Sequence, residues 1–222
     1  MDSAARSAAA LAAAELVQPG MTIGLGSGRA VWAVLELLRG RDIRCAAASS
    51  RTSSLLREAG IEVVELDGSV RPELVIDGAD EIDARLGLIK GGGAALLREK
   101  LLVCASERFA VVCEESKRVE RLGQTRPLPV EVVGFAWQDT RRRLLELMPT
   151  AELRSGDDGA VVVTDEGHLL LDCALPESGD LADLAAAIKA TVGVVEHGLF
   201  LGLASLALIG RDDGTVERVD AS

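Results

Sequence analysis

The sequence predicts an α/β fold: a Rossmann-like, mostly parallel sheet covered by helices, with a smaller α+β lobe of ferredoxin-like kind inserted near the C-terminus. Three observations predict it. Through the first half, Ala- and Leu-rich stretches of helical spacing alternate with short apolar runs of strand length, as β-α-β units require. Glycine-rich turns lie between strand-like runs and the helices that follow. After Pro127-Leu-Pro129 the alternation stops and a hairpin-like pattern takes over.

The elements are expected in this order. Residues 3–17 read as a helix, 21–24 as a strand, 29–39 as a helix and 43–48 as a strand. A helix over 51–59, strands at 62–66 and 73–77, a helix over 94–106 and a strand at 109–113 complete the parallel unit. A strand at 130–133, a helix over 138–147, strands at 160–164 and 169–171 joined by a turn at 165–167, and a helix over 180–190 form the second pattern. Residues 206–209 read as the final strand. The expected division is therefore 1–130 with 198–222 as the catalytic domain, and 131–197 as the smaller lobe and an oligomer contact. Ligands of open parallel sheets bind beyond the carboxyl ends of the strands, which directs attention to the loops after Ile23, Ile76 and Ile89.

Composition excludes several function classes. The chain carries 35 acidic against 24 basic side chains, and the bases are scattered, so no nucleic acid partner is expected. Tyr is absent and aromatic residues are only 2%, which leaves no platform for stacking bases. No apolar run has the length of a membrane span, so no membrane partner is expected. The Ala-rich start is interrupted by Glu15 and lacks a basic leader, which reads as a helix and not as a signal peptide. Cys45, Cys104, Cys113 and Cys173 are far apart, without C-x-x-C or nearby His, and predict neither zinc nor disulfides. Cys104 and Cys113 read as buried small hydrophobes, and the thiols fit a cytoplasmic location.

Three motifs carry candidate chemistry. Gly24-Leu-Gly26-Ser27-Gly28-Arg29-Ala30 is a glycine-rich turn into a helix, suited to an oxyanion because backbone N–H groups and the helix N-terminus face it. Arg29 stands where a dinucleotide fingerprint needs its third glycine. Asp77-Gly78-Ala79-Asp80-Glu81-Ile82-Asp83 sets four carboxylates at a strand end, which suits a hydroxyl-rich ligand, a magnesium ion or solvent. Lys90-Gly91-Gly92-Gly93 runs into a helix bearing Arg98, Glu99 and Lys100, and offers amides and an ammonium to a developing oxyanion. Those three charges span roughly 200° of helical arc, so at least one faces inward, and the spacing alone does not say which. A carboxylate in that position has a pKa suited to a general base. Lys117 follows a strand end within reach of an anion, while His168 and His197 read as turn or packing residues.

Taken together these segments resemble type A ribose-5-phosphate isomerases. The resemblance runs through Ile76 to Ile82, Ile89 to Ala95 with Arg98 to Lys100, Pro127 to Val132, and Gly193 to Val195 with Gly198 to Phe200, and it covers essentially the whole chain. It implies a cofactor-free and metal-free aldose–ketose isomerase acting on a small-molecule sugar phosphate, D-ribose 5-phosphate, through an enediolate. It implies Glu99 as the general base. Asp77, Asp80 and Lys90 then contact sugar hydroxyls and assist ring opening, with Gly78 and Ala79 beside them and Gly91, Gly92 and Gly93 along the enediolate. Lys117 is implied to contact substrate, and the turn Ser27, Gly28, Arg29, Ala30 to hold the phosphate. It further implies a homodimer or homotetramer. The turn departs from the family's usual Gly-x-Gly-Thr-Gly-Ser-Thr, because Arg29 and Ala30 replace two hydroxyl donors, and Arg6 stands where a lysine is common. Two alternatives follow: an isomerase for a different pentose, or a catalytically silent sugar-phosphate sensor.

Overall fold

The computed structural model describes residues 3–221. In chain order the first elements are α1 (Ala4–Ala14), β1 (Thr22–Leu25), α2 (Arg29–Leu37), β2 (Arg44–Ala47), α3 (Ser50–Glu58), β3 (Glu62–Val63), β4 (Leu74–Asp77), β5 (Glu81–Ile82) and β6 (Leu88–Ile89). They continue with α4 (Leu96–Cys104), β7 (Phe109–Glu114), β8 (Leu128–Val132), α5 (Trp137–Leu144), β9 (Thr150–Leu153), β10 (Leu169–Ala174), α6 (Leu181–Ala190), β11 (Val194–His197), β12 (Leu199–Phe200), β13 (Leu206–Gly210) and β14 (Val216–Asp220).

The main sheet has the order β14-β13-β7-β4-β1-β2-β3, parallel throughout except for β14. Its central strands are apolar without alternation because helices cover both faces: β1 and β4 are buried at every position. On one face α1 packs through Ala9, Ala10, Ala13 and Ala14, all without exposed surface. The fit is close enough that a Cβ on Gly210 would collide with the Ala5 carbonyl. On the other face Leu102 and Val103 of α4 meet Val75, Phe109 and Val111.

A second, four-stranded antiparallel sheet has the order β11-β8-β10-β9, built from the succession β8-α5-β9-β10-α6-β11. Leu128, Val130 and Val132 of β8 turn to one face and share a core with Leu144 of α5 and Ile188 of α6. Pro129 and Glu131 alternate to the other face. A small sheet β12-β6-β5 completes the fold.

Several expectations require correction. The strand expected at 160–164 is absent; only the bridges Ser155↔Val161 and Val163↔Leu169 form, although the turn at 165–167 closes through Gly167 N–H to Thr164 O. The strand expected over 62–66 shrinks to the two-residue edge strand β3. The helix expected from residue 94 starts at Leu96, because Ala94 takes a positive φ of 60°. Cys104, expected to be buried, lies exposed at the end of α4, whereas Cys113 is buried as expected. No helix among the described residues is long and apolar enough to cross a membrane.

Candidate active site

β1 and β4 are neighbours in the sheet, yet the chain leaves β1 toward β2 and β3 and leaves β4 toward β7 and β13. This reversal opens a crevice at their carboxyl ends. A cavity of about 380 Å³ occupies it. Ser27, Gly28, Arg29 and Ala30 line it from the turn after β1, Gly78, Ala79 and Asp80 from the loop after β4, and Lys90, Gly91, Gly92, Gly93 and Glu99 from the loop and helix after β6. Lys117 lines it from the short 3-10 turn after β7. Asp77 alone among the expected site residues does not: it is 0% exposed and lies behind the wall.

Three charges meet there almost out of water. Lys90 Nζ lies 2.9 Å from Asp77 Oδ2 and 3.2 Å from Glu99 Oε2, and donates to the Gly78 carbonyl at 2.6 Å. Lys90 is 2% and Glu99 4% exposed. Among the described residues neither Asp77 Oδ2 nor Glu99 Oε2 has a donor other than the ion-paired Lys90 ammonium. Burial and then the charge of Asp77 push the Glu99 carboxyl up to about 8, against the pull of Lys90. Burial also raises Asp77, opposed by Lys90 and by N–H donors from Gly78 at 2.7 Å and Ser27 at 3.3 Å. Among the described residues Glu99 has no such backbone donor, and only Lys90 opposes the upward push of burial and of the Asp77 charge. Burial works against the Lys90 ammonium, but Asp77 and Glu99 outweigh it and raise its pKa. One proton can therefore leave and return at Glu99 while Lys90 stays charged.

α4 settles which of its three charged residues faces inward. Glu99 shares the buried stripe with Leu96, Leu102 and Val103. Arg98 turns outward to Asp165 at 3.1 Å and Glu166 at 2.5 Å, and Lys100 donates to Glu196 at 2.8 Å and the His197 carbonyl at 2.6 Å. Beside Glu99, the glycine loop is held by Asp80, whose Oδ2 accepts from Gly92 N–H at 2.7 Å. A Cβ on Gly91 would press into Leu96 and Pro129, so the loop passes where only glycine fits.

The opposite end of the cavity is cationic. Gly28 caps α2 at φ 114° with no side-chain acceptor, leaving the first amides of the helix open. Among the described residues Arg29 and Lys117 make no ion pair. Arg6 lies 2.7 Å from Glu114, which also accepts the Ser3 hydroxyl at 2.6 Å. Ser27 Oγ meets Ser49 Oγ at 3.0 Å, which joins the turn to the N-terminus of α3.

The acidic motif divides its labour. Glu81, 0% exposed, accepts from Gly123 N–H, Thr125 N–H and hydroxyl, and Arg126 N–H, and so ties down a distant loop. Asp83 closes its own turn through Arg85 and Gly87 N–H. Neither reaches the cavity. His168 pairs with buried Glu131, and burial with the Lys100 charge pushes His197 down to about 4, consistent with packing roles. Trp32, Val112, Cys113 and Glu114 also line the cavity and were not expected there from the sequence, which marked Cys113 only as a buried small hydrophobe. Glu114 was findable in principle, since it ends a strand next to β4, but strand order is not written in a single sequence. Among the described residues no group of three or more His, Cys, Asp or Glu side chains is placed to hold a metal ion.

Comparison with known proteins accords with this geometry. The family model for ribose 5-phosphate isomerase A (phosphoriboisomerase A) matches residues 44–214. Ribose-5-phosphate isomerase A of Caulobacter vibrioides is 49% identical over 213 residues, 92% of this chain and 93% of that protein. That of Roseiflexus castenholzii is 48% identical over 96% of this chain and 94% of its own. Among solved structures, ribose 5-phosphate isomerase from Plasmodium falciparum superposes with a TM-score of 0.91 at 35% identity, covering 97% of this chain and 98% of that one. A D-ribose-5-phosphate isomerase in complex with phospho-erythronic acid superposes with a TM-score of 0.92 at 32% identity, covering 99% of this chain and all (100%) of that one. With a family model matched over most of its length and relatives near half identical over more than nine tenths of it, the chain belongs to the ribose 5-phosphate isomerase A family.

Proposed function

We propose that the protein is an isomerase that interconverts D-ribose 5-phosphate and D-ribulose 5-phosphate through an enediolate. One observation carries this reading beyond family membership: a carboxyl tuned to about 8, buried in a cavity beside a fixed ammonium and a glycine loop. Glu99 takes the proton from C2 of the open-chain aldose and returns it to C1. The O2 proton passes to O1 in the same exchange, so atoms and charge balance. Lys90 and the loop 91–93 stabilise the negative charge on the enediolate oxygens. Asp80 reaches the sugar hydroxyls. Asp77, buried behind Lys90, acts on the electrostatics of the pair and not by touching sugar. The α2 turn with Arg29, together with Arg6 and Lys117, receives the phosphate, and Arg29 in place of a hydroxyl donor adds a positive charge at that end.

The same reading assigns 1–130 with 198–222 to a Rossmann-like catalytic domain and 131–197 to an inserted ferredoxin-like lobe. The β-α-β-β-α-β succession of the second sheet supports the lobe. The lobe mediates a homodimer or homotetramer, supported by Phe135 at 90% and Val192 at 75% exposure. Four free thiols suit a cytoplasmic location.

The test is a coupled assay on purified protein over a panel of pentoses and pentose 5-phosphates, with and without chelator. Turnover of D-ribose 5-phosphate above all other substrates, unchanged by chelator, is expected. Preference for an unphosphorylated pentose, or binding of ribose 5-phosphate without turnover, overturns the reading.

A further inference from the structure

Arg154, directly after β9, stands outside the cavity and grips the glycine loop from behind. Its Nη1 donates to the Gly91 carbonyl at 2.7 Å and to the Gly92 carbonyl at 3.3 Å. The rest of the guanidinium is locked by the Asp172 carboxylate on β10, with Nε to Oδ2 at 2.9 Å and Nη2 to Oδ1. This two-point fork, 13% exposed on the arginine side, fixes the direction from which Nη1 approaches.

A trans peptide points its C=O and its N–H in opposite directions. The peptide joining Gly91 to Gly92 is held at both ends: its carbonyl by Arg154 and its N–H by the Asp80 carboxylate at 2.7 Å. The next peptide is held at one end only. Its carbonyl, on Gly92, points to Arg154, and its N–H, on Gly93, has no acceptor within the described chain. Gly93 lines the cavity and Arg154 does not, so drawing the Gly92 carbonyl outward turns the Gly93 N–H inward. Three consecutive glycines have no conformational preference that would do this unaided. A cation on the carbonyl also polarises the peptide and makes that N–H a stronger donor.

We propose that Arg154, clamped by Asp172, is a positioning residue that aims the Gly93 N–H at the oxygen on which negative charge develops during isomerisation. The inference rests on the proposed function. It assigns to the antiparallel sheet a part in catalysis: the loop that meets the enediolate is set from across the boundary between the two sheets.

The test compares wild type with Arg154→Gln and Arg154→Lys. The readouts are kcat, KM for ribose 5-phosphate, inhibition by phospho-erythronic acid, whose carboxylate imitates the enediolate, and inhibition by inorganic phosphate. Arg154→Gln should lower kcat by about 100-fold, the loss typical of one misplaced oxyanion donor, with KM changed less than about threefold. Affinity for phospho-erythronic acid should fall with kcat while that for inorganic phosphate stays constant. Arg154→Lys keeps the charge against Asp172 but cannot serve both carboxylate and carbonyls, so its kcat should lie between the two; it also carries the test if the glutamine variant does not fold. A folded variant with wild-type kcat, or equal loss of affinity for both inhibitors, overturns the inference while leaving the isomerase intact. Absence of turnover in wild type removes the proposed function itself, and this inference with it.

Discussion

At the scale of single residues, the site depends on how two carboxylates share one ammonium. Glu99 must be ionised to accept a proton, and its carboxyl sits at about 8. kcat/KM should therefore rise with pH and level off above about 8. Asp77→Asn removes the neighbouring negative charge that helps hold Glu99 up, so the acid limb of the profile should move to lower pH. A pH–rate profile of both proteins checks this, and an unmoved limb contradicts the assigned coupling. Glu99 was legible as one of three inward candidates on its helix, because a charged run interrupts an otherwise apolar face. Asp77 was legible as an acid at the end of a strand, but its place behind Lys90 was not. The sequence shows that it ends a strand, not that the side chain turns under the sheet's rim, where Gly26 leaves room for it.

At the scale of elements, short loops after β1 and β4 bring the parts together because their glycines let backbone and carboxylate approach closely. A Cβ on Gly26 would overlap the Asp77 carboxylate. Gly26→Ala should therefore displace Asp77, destabilise the fold by about 1–3 kcal/mol and lower kcat. Chemical denaturation together with steady-state kinetics checks both effects, and a variant matching wild type in each contradicts the packing described. The helices were legible from periodicity and the buried parallel strands from their short apolar runs, but β9, β11 and β14 were not read from the sequence, and β14 follows the strand expected to be the last. The two-residue strands β5, β6 and β12 were not legible, because two residues carry no period, and residues 160–164 misled because three valines suggest a strand even where pairing is reduced to bridges.

At the scale of the whole molecule, the cavity lies where the main sheet reverses its strand order, and the second sheet closes in on it. Pro129 backs Gly91, Arg154 holds the glycine loop, and Asp165 at the hairpin tip accepts from Ser50 N–H at 2.7 Å and from Arg98. None of these links was readable from the sequence, since each joins residues at least 38 positions apart, the closest pair being Gly91 and Pro129. The site also costs stability. A carboxyl raised by burial favours the folded state while protonated, so its contribution is complete below the ordinary carboxylate pKa and is lost as pH rises through about 8. Replacing Glu99 by its neutral isostere should therefore leave the protein folded, and more resistant to denaturant than wild type above that pH. This separates chemistry from folding and makes Glu99→Gln the most direct test of the account. Conversion of D-ribose 5-phosphate in deuterated water, followed by proton NMR at C1 and C2, should show kcat reduced by about 100-fold or more, with exchange of the C2 proton lost in the same proportion. A well-folded Glu99→Gln protein that isomerises and exchanges that proton at the wild-type rate would contradict it.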